Sequence, residues 1–349
     1  MNLSLPLNQL GYGIVGTNLA VEIKKILNDV CIWPLGPVDC DPEYIEIIKE
    51  NIANVKYFNH KDSCYKLFHA NQMIMNPSKG MWAGSTFFEL DTLNEMEVAF
   101  LNTFDIIFAF GKWSEQVMIE NGVKSRIENI AIGVDKRYFY PRNEQKDPDK
   151  TVFINCGKWE KRKGHDVLVE AFNRAFDVDS NVELWMMNDN PFLPPEEQQK
   201  WIDLYKNSKL GNKIKMVKRV PHQQDVANIF AKVNCGVFPS RAEGWNLECA
   251  ELMAMGKDII TTNCTAHTEY CNEENSMLID VPEKELAFDG KWFYNQGNWH
   301  KFAEPQIQKL ADYMREYHKS NKKTNINGII TMSDISYRKS AQTIVSCME

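Results

Sequence analysis

Hydrophobic positions fall in two registers along the chain, and after residue 150 the registers alternate regularly. Short apolar runs predict strands at 151–156, 182–187, 213–220, 235–238 and 258–262. Between them, apolar residues recur with helical spacing at 165–176, from 195 onward, at 225–233, and between Asn246 and Gly256. The first half alternates less evenly, with predicted strands at 3–7, 30–34, 65–69, 81–87 and 106–110 and an amphipathic helix at 15–27. A last helical stripe covers 334–348, after a basic stretch at 319–323. Strand–helix alternation predicts parallel sheets covered on both faces, an α/β chain of two Rossmann-like, doubly wound domains. The polar segment PRNEQKDPDK at 141–150 has two prolines and no periodicity, and reads as the linker. The expected domains are therefore 1–145, completed by the helix at 334–349, and 146–333. Ligands of such sheets sit beyond the carboxyl ends of the strands.

Length and composition narrow this picture. The 349 residues are 44% hydrophobic and 25% charged, enough for two ordinary cores in a globular protein. No apolar run approaches the ~18–20 residues a bilayer span needs. The N-terminus lacks the basic and apolar regions of a signal peptide. Nine cysteines without a C-x-x-C pair read as reduced thiols, which points to a cytoplasmic location and leaves the glycosylation matches at Asn2 and Asn263 without meaning. The net charge of −7 argues against a nucleic-acid partner; residues 1–145 carry 13 Lys+Arg against 18 Asp+Glu.

The densest chemistry lies at 238–256, FPSRAEGWNLECAELMAMG. Glu243 and Glu251 stand eight positions apart across a glycine-containing turn and a helix start, with Asn246 as N-cap and Gly256 as C-terminal stop. The N–H groups from Gly244 through Trp245 and Asn246 to Leu247 are helix-end donors that favour a phosphate. With the diphosphate there, Glu243 suits the hydroxyls of a sugar and Glu251 those of a ribose. The plainer alternative is two acids on a loop and a capped core helix. Gly157–Gly164, GKWEKRKG, places Lys158 and Lys163 before another helix start, where two ammonium groups can neutralise a departing diphosphate. Lys161 and Arg162 read as solvated, and the alternative is a basic surface loop.

Gly11, Gly13 and Gly16 form a literal G-x-G-x-x-G after a strand, with Asp39 and Asp41 in the region of a ribose-binding acid, so an NAD-dependent oxidoreductase is one reading. Asp39-Cys40-Asp41 is also a D-x-D, here read as the start of a helix and not as a metal site. His69 ends a strand. His267 and Glu269 follow another and are expected to face the donor site.

Together these stretches resemble the retaining glycosyltransferases of GT-B fold, specifically glycosyltransferase family four. Residues 238–256 resemble its E-x7-E signature. Residues 157–164 resemble its G-R-x4-K-G loop, with Lys158 where arginine is usual. Gly11-Tyr12-Gly13 is similar to a G-Y-G found there, and residues 85–97, 105–123 and 133–141 follow in the family's order. The resemblance implies two domains facing a cleft, with the C-terminal helix crossing back to the first. It implies a hexosyltransferase that takes the sugar from a UDP- or GDP-linked donor to a hydroxyl, a saccharide before a modified DNA base. No cofactor and no metal would be needed. Glu243, Lys163, Lys158 and His69 would be catalytic, with His69 near the sugar C6 or the acceptor. Gly11, Gly13, Gly157, Gly244, Trp245, Asn246, Leu247 and Glu251 would hold the donor. A catalytically dead sugar-nucleotide sensor is the remaining alternative.

Overall fold

The computed structural model describes residues 1–72, 78–142, 149–320 and 323–349, so parts of the expected linker and of the basic stretch at 319–323 lie outside the described residues. The chain divides into two compact units, Met1–Asp135 with Asp334–Glu349, and Lys136–Ser333.

The first unit opens with β1 (Asn2–Leu5), α1 (Gly11–Ile26), β2 (Cys31–Pro34), α2 (Pro42–Ile48) and β3 (Cys64–Leu67). It continues with β4 (Trp82–Ser85), α3 (Glu95–Leu101), β5 (Ile106–Phe110), α4 (Lys112–Glu120) and β6 (Arg126–Ile130). The strands form one parallel sheet ordered β2-β1-β3-β4-β5-β6. Several strands stop two residues short of their apolar runs, for local reasons. Pro6 has no N–H to continue β1. After β4, the Phe87 N–H turns to the Tyr12 hydroxyl, 2.8 Å away. The helix predicted from Val15 begins at Gly11, so the glycine motif lies inside α1.

The second unit contains β7 (Thr151–Gly157), α5 (His165–Ala175), β8 (Val182–Asn188), α6 (Pro195–Lys206), β9 (Ile214–Met216) and α7 (Gln223–Ala231). Then come β10 (Cys235–Phe238), α8 (Leu247–Ala254), β11 (Asp258–Thr262) and β12 (Met277–Ile279). Its sheet is again parallel, ordered β12-β11-β10-β7-β8-β9. The crossover β7–α5–β8 runs one way along the sheet and β10–α8–β11 the other, so right-handed connections put α5 and α8 on opposite faces. An antiparallel hairpin, β13 (Lys284–Phe288) and β14 (Tyr294–His300), follows the sheet, then α9 (Glu304–Lys319) and α10 (Ile326–Asp334). Phe172 of α5 and Leu310 and Met314 of α9 join Phe153, Leu184 and Val237 in the core of this unit.

The chain ends in α11 (Tyr337–Met348), which belongs to the first unit: Ser340 Oγ donates to the Ala131 carbonyl, and Ser63 Oγ to that of Met348. Two doubly wound Rossmann-like units and a C-terminal helix returned to the first make a GT-B architecture. The strand predicted at 213–220 shrinks to Ile214–Met216, because Lys218, Arg219 and Pro221 belong to the loop beyond it. Among the described residues, no helix is long and apolar enough to cross a membrane.

Candidate functional site

In the second unit β10 lies beside β7, although β8 and β9 come between them in sequence. The chain winds outward from β7, then returns to its other flank, which makes the β7–β10 boundary the topological switch point where a ligand is expected. Three segments leave carboxyl ends there: 157–164 after β7, 239–246 after β10 and 263–270 after β11. The first two are fitted backbone to backbone. Gly164 has φ +73°, and a Cβ on it would lie 1.9 Å from the Pro239 carbonyl oxygen, so no other residue fits. The Arg241 N–H donates to the Arg162 carbonyl at 2.7 Å. His165, buried at the start of α5, has Nε2 3.0 Å from the Lys158 carbonyl and Nδ1 3.1 Å from the Tyr205 hydroxyl, which pins the loop from beneath.

Glu243 is at the centre. Its carboxylate accepts from Ser240 Oγ (2.6 Å) at Oε1, which also lies 2.8 Å from the Lys163 ammonium as an ion pair. At Oε2 it accepts from Arg162 Nη1 (2.9 Å) and from Lys163 Nζ (3.0 Å). Both carboxylate oxygens are thereby held, by three hydrogen bonds and the Lys163 ion pair. Burial alone would raise this carboxyl, but the Lys163 ammonium and the Arg162 guanidinium outweigh it and hold it far below the usual range. Burial likewise opposes the charge on Lys163, and Glu243 more than restores it. Arg162 is only 5% exposed; it also holds Glu160 through Nε and Nη2 and the Ala242 carbonyl through Nη1. The expectation of a solvated Arg162 is therefore wrong. The reason is tertiary: beside Glu160, two residues before it, the groups that hold it are the Ala242 carbonyl and the Glu243 carboxylate, from a distant segment of the chain. Lys161 is half-buried and donates to the Phe288 carbonyl at 3.1 Å. Lys158 keeps 43% of its side chain exposed, 3.7 Å from Glu160 and over the Phe192 ring.

The next stretch of backbone is an open row of donors. Asn246 caps α8 with φ 78° and ψ 78°, its Oδ1 accepting from the Cys249 N–H, and Gly256 follows the helix at φ +72°. Both ends were legible in the sequence. Among the described residues, the N–H groups of Gly244 through Glu248 reach no protein acceptor. Glu251 lies buried one turn into α8, and Glu248 is half-buried. The charges of both bear on the buried Cys156 thiol, whose pKa burial chiefly raises. A Cβ on Gly157 would stand 3.5 Å from Lys163 Nζ and 3.9 Å from Glu248 Oε1. Glu248 thus shares this space with Lys163, and its charge helps to keep that ammonium protonated.

Trp245 is buried against Tyr270, with ring centroids 5.2 Å apart. His267 does not face a ligand as expected. It is wholly buried behind Asn246, and burial lowers its pKa to about 4. Glu269 is half-exposed. A groove of about 650 Å³ along edge strand β12, lined by residues including Asn263, Asp280 and Tyr313, shares no residue with this cluster.

The first unit has its own switch point, between β1 and β3. The Tyr12 ring packs there on His69 (4.6 Å), Phe87 (4.8 Å) and Phe68 (6.0 Å), with His69 exposed. Gly11 has open space around it, but a Cβ on Gly13 would lie 2.2 Å from Asn8 Oδ1 and one on Gly16 2.3 Å from the Pro6 carbonyl oxygen. Those two glycines let α1 seat on the loop before it, which accounts for the motif without a dinucleotide. Asp41 is the N-cap residue of α2, and Asp39 is exposed in the loop before it. Among the described residues, no three His, Cys, Asp or Glu side chains gather as metal ligands would.

Residues 150–289 match the family model described as glycosyl transferases group 1. That match replaces the expected assignment to family four and, taken with the two doubly wound units, gives a glycosyltransferase of GT-B fold. Among curated proteins none matches by sequence. Solved structures share the fold at low identity. A sucrose-phosphate synthase from Thermosynechococcus elongatus superposes with a TM-score of 0.73 at 15% identity, covering 99% of this chain and 97% of its own. HepE from Anabaena, in complex with UDP and glucose, gives 0.71 at 12% identity over 99% and 98%. A glycosyltransferase from Rickettsia africae gives 0.70 at 17% identity over 99% and 97%.

Proposed function

We propose that this chain is a retaining hexosyltransferase that takes a sugar from a UDP- or GDP-linked donor and passes it to a hydroxyl of a saccharide. The observation that carries the reading is the meeting of Lys163, Glu243 and the free N–H row 244–248 at the β7–β10 switch point. A diphosphate suits the row and Lys163, Glu251 the ribose hydroxyls, and Glu243 the sugar. The second unit would then hold the donor, and the first, with His69 and Tyr12, the acceptor. The HepE complex with UDP supports the uridine donor of the two.

The pairing of Glu243 suggests how the parts cooperate. Lys163 lies against both carboxylate oxygens. When Lys163 turns to a diphosphate, those oxygens open for sugar hydroxyls, while Arg162 and Ser240 keep the carboxylate charged and aimed. Nucleotide and sugar are thus read together. Negative charge grows on the leaving phosphate as the glycosidic bond stretches, so Lys163 and the amides are worth most in the transition state. Glu243, ionised and held on both oxygens, accepts hydrogen bonds and is a poor proton donor. Same-face attack fits, with the leaving phosphate taking the acceptor's proton.

A thermal-shift screen of nucleotides and nucleotide sugars tests the reading. Binding at about 100 Kd adds ~2.7 kcal/mol of stability. Release of free UDP or GDP from the donor excludes a dead sensor. A response to NADH alone would restore the oxidoreductase.

A further inference from the structure

His267 lies behind the donor loop, and the polarity of its hydrogen bonds follows from its surroundings. Thr261 Oγ1 donates to the Phe238 carbonyl (3.0 Å) and Thr262 Oγ1 to the Ser240 carbonyl (2.8 Å). Each hydroxyl has one hydrogen, so toward His267 Nδ1, at 3.0 and 3.3 Å, both act only as acceptors. The Thr262 carbonyl, 3.2 Å from the same nitrogen, accepts as well. Nδ1 therefore carries the proton. Burial keeps the ring neutral against the pull of the Glu243 charge, leaving Nε2 bare.

That bare nitrogen accepts from Asn246 Nδ2 at 2.9 Å. The Asn246 amide is thereby oriented with Oδ1 toward the Cys249 N–H. One directed relay thus runs from the ends of β10 and β11 through the imidazole to the α8 cap. Asn246 sits in a left-handed conformation that residues other than glycine seldom adopt, asparagine being among the most tolerant. On the other side of the same peptide, the Tyr270 hydroxyl stands 2.8 and 3.1 Å from the Trp245 and Asn246 carbonyls. With both ring nitrogens engaged and no exposed edge, His267 has no proton to offer a substrate.

We propose that His267 is a positioning residue for the donor diphosphate: donating at Nδ1 and accepting at Nε2, it locks the Asn246 side chain and with it the left-handed turn that keeps the N–H row 244–248 free for the anion. The inference rests on reading that row as the diphosphate site.

Calorimetric titration of UDP and GDP into the wild type, His267→Leu and His267→Gln tests it, beside ¹⁵N spectra of the wild-type imidazole. The wild-type ring is expected neutral and protonated at Nδ1 from about pH 5.5 to 8. His267→Leu should weaken nucleotide binding about tenfold or more, and the donor KM should rise with it. His267→Gln, whose amide can donate to Thr262 and accept from Asn246, should recover most of the affinity. Unchanged affinity in a folded His267→Leu variant overturns the inference while leaving the diphosphate reading intact. Failure of the wild type to bind either nucleotide removes that reading, and the inference with it. Should His267→Leu not fold, the spectra and His267→Gln decide: protonation at Nε2, or a folded Gln variant without rescue, overturns the proposal.

Discussion

Arg162 Nη1 stands 2.9 Å from Glu243 Oε2, both side chains are almost wholly buried, and the two residues lie 81 positions apart in the chain. This pair keeps Glu243 charged whether or not Lys163 remains beside it. Removing one partner of a buried ion pair strands the other, at a cost of about 3–5 kcal/mol. Arg162→Ala should therefore destabilise the second unit by about that amount, whereas Lys161→Ala should change stability by less than ~0.5 kcal/mol. Urea unfolding of the two variants checks the contrast. Similar midpoints would mean that the loop is a solvated basic patch.

The depressed pKa of Glu243 sets a pH dependence. Its folded value lies below the unfolded one of ~4.3, so its contribution to stability is complete above that value and drains away as the pH falls toward the folded pKa. Glu243→Gln should therefore be much less stable than the wild type at about pH 7, with no change in the gap down to about pH 5. Below about pH 4 the gap should narrow. Denaturant midpoints at about pH 7, 5 and 3 test this, and a gap that stays constant to the lowest pH contradicts it.

Lys163→Ala should lower kcat by more than it raises the donor KM, because its charge matters most as the leaving phosphate forms. Steady-state kinetics with the donor varied at saturating acceptor separates the two constants. A rise in KM alone would make Lys163 a ground-state ligand only.

The two acids of α8 should act with opposite sign. Glu251→Ala is expected to weaken UDP or GDP binding ~10–100-fold through loss of hydrogen bonds worth ~1.5–3 kcal/mol. Glu248→Gln removes a carboxylate that competes for Lys163, and should tighten diphosphate binding by about two- to fivefold. Calorimetry on both variants decides. Equal losses would show that neither residue reads the ribose selectively.

Gly13→Ala should destabilise the first unit by about 1–3 kcal/mol, since the added methyl meets Asn8, while Gly11→Ala should be near neutral. Denaturant unfolding distinguishes them. A stable Gly13→Ala protein that binds nucleotide but transfers no sugar would instead give this glycine a part in the transfer step.

The alternation of strands and helices was legible because each element buries one face, and burial leaves a period of two or 3.6 in the sequence. On that basis β5, β10 and β11 were read to the residue, and the caps at Asn246 and Gly256 followed from local backbone chemistry that needs only near neighbours. β9 and the hairpin β13–β14 were not, because their polar and apolar residues carry no clean period. Glu243, Lys163 and Glu251 were legible as chemistry, since acids and lysines beside glycine turns and helix starts are conspicuous in a mostly apolar stretch.

What the sequence determined by itself was thus the fold class and the types of group near a helix end. Only the tertiary structure decided which charges pair. Arg162 and Lys161 are adjacent and alike as letters, yet one is buried against Glu243 and the other reaches the Phe288 carbonyl at half exposure. His267 looked like a ligand-facing histidine and is a buried relay. The physical reason is the same in each case. Burial and hydrogen-bond partners at a switch point come from strands distant in sequence, and they control whether a polar side chain is solvated, paired or neutral.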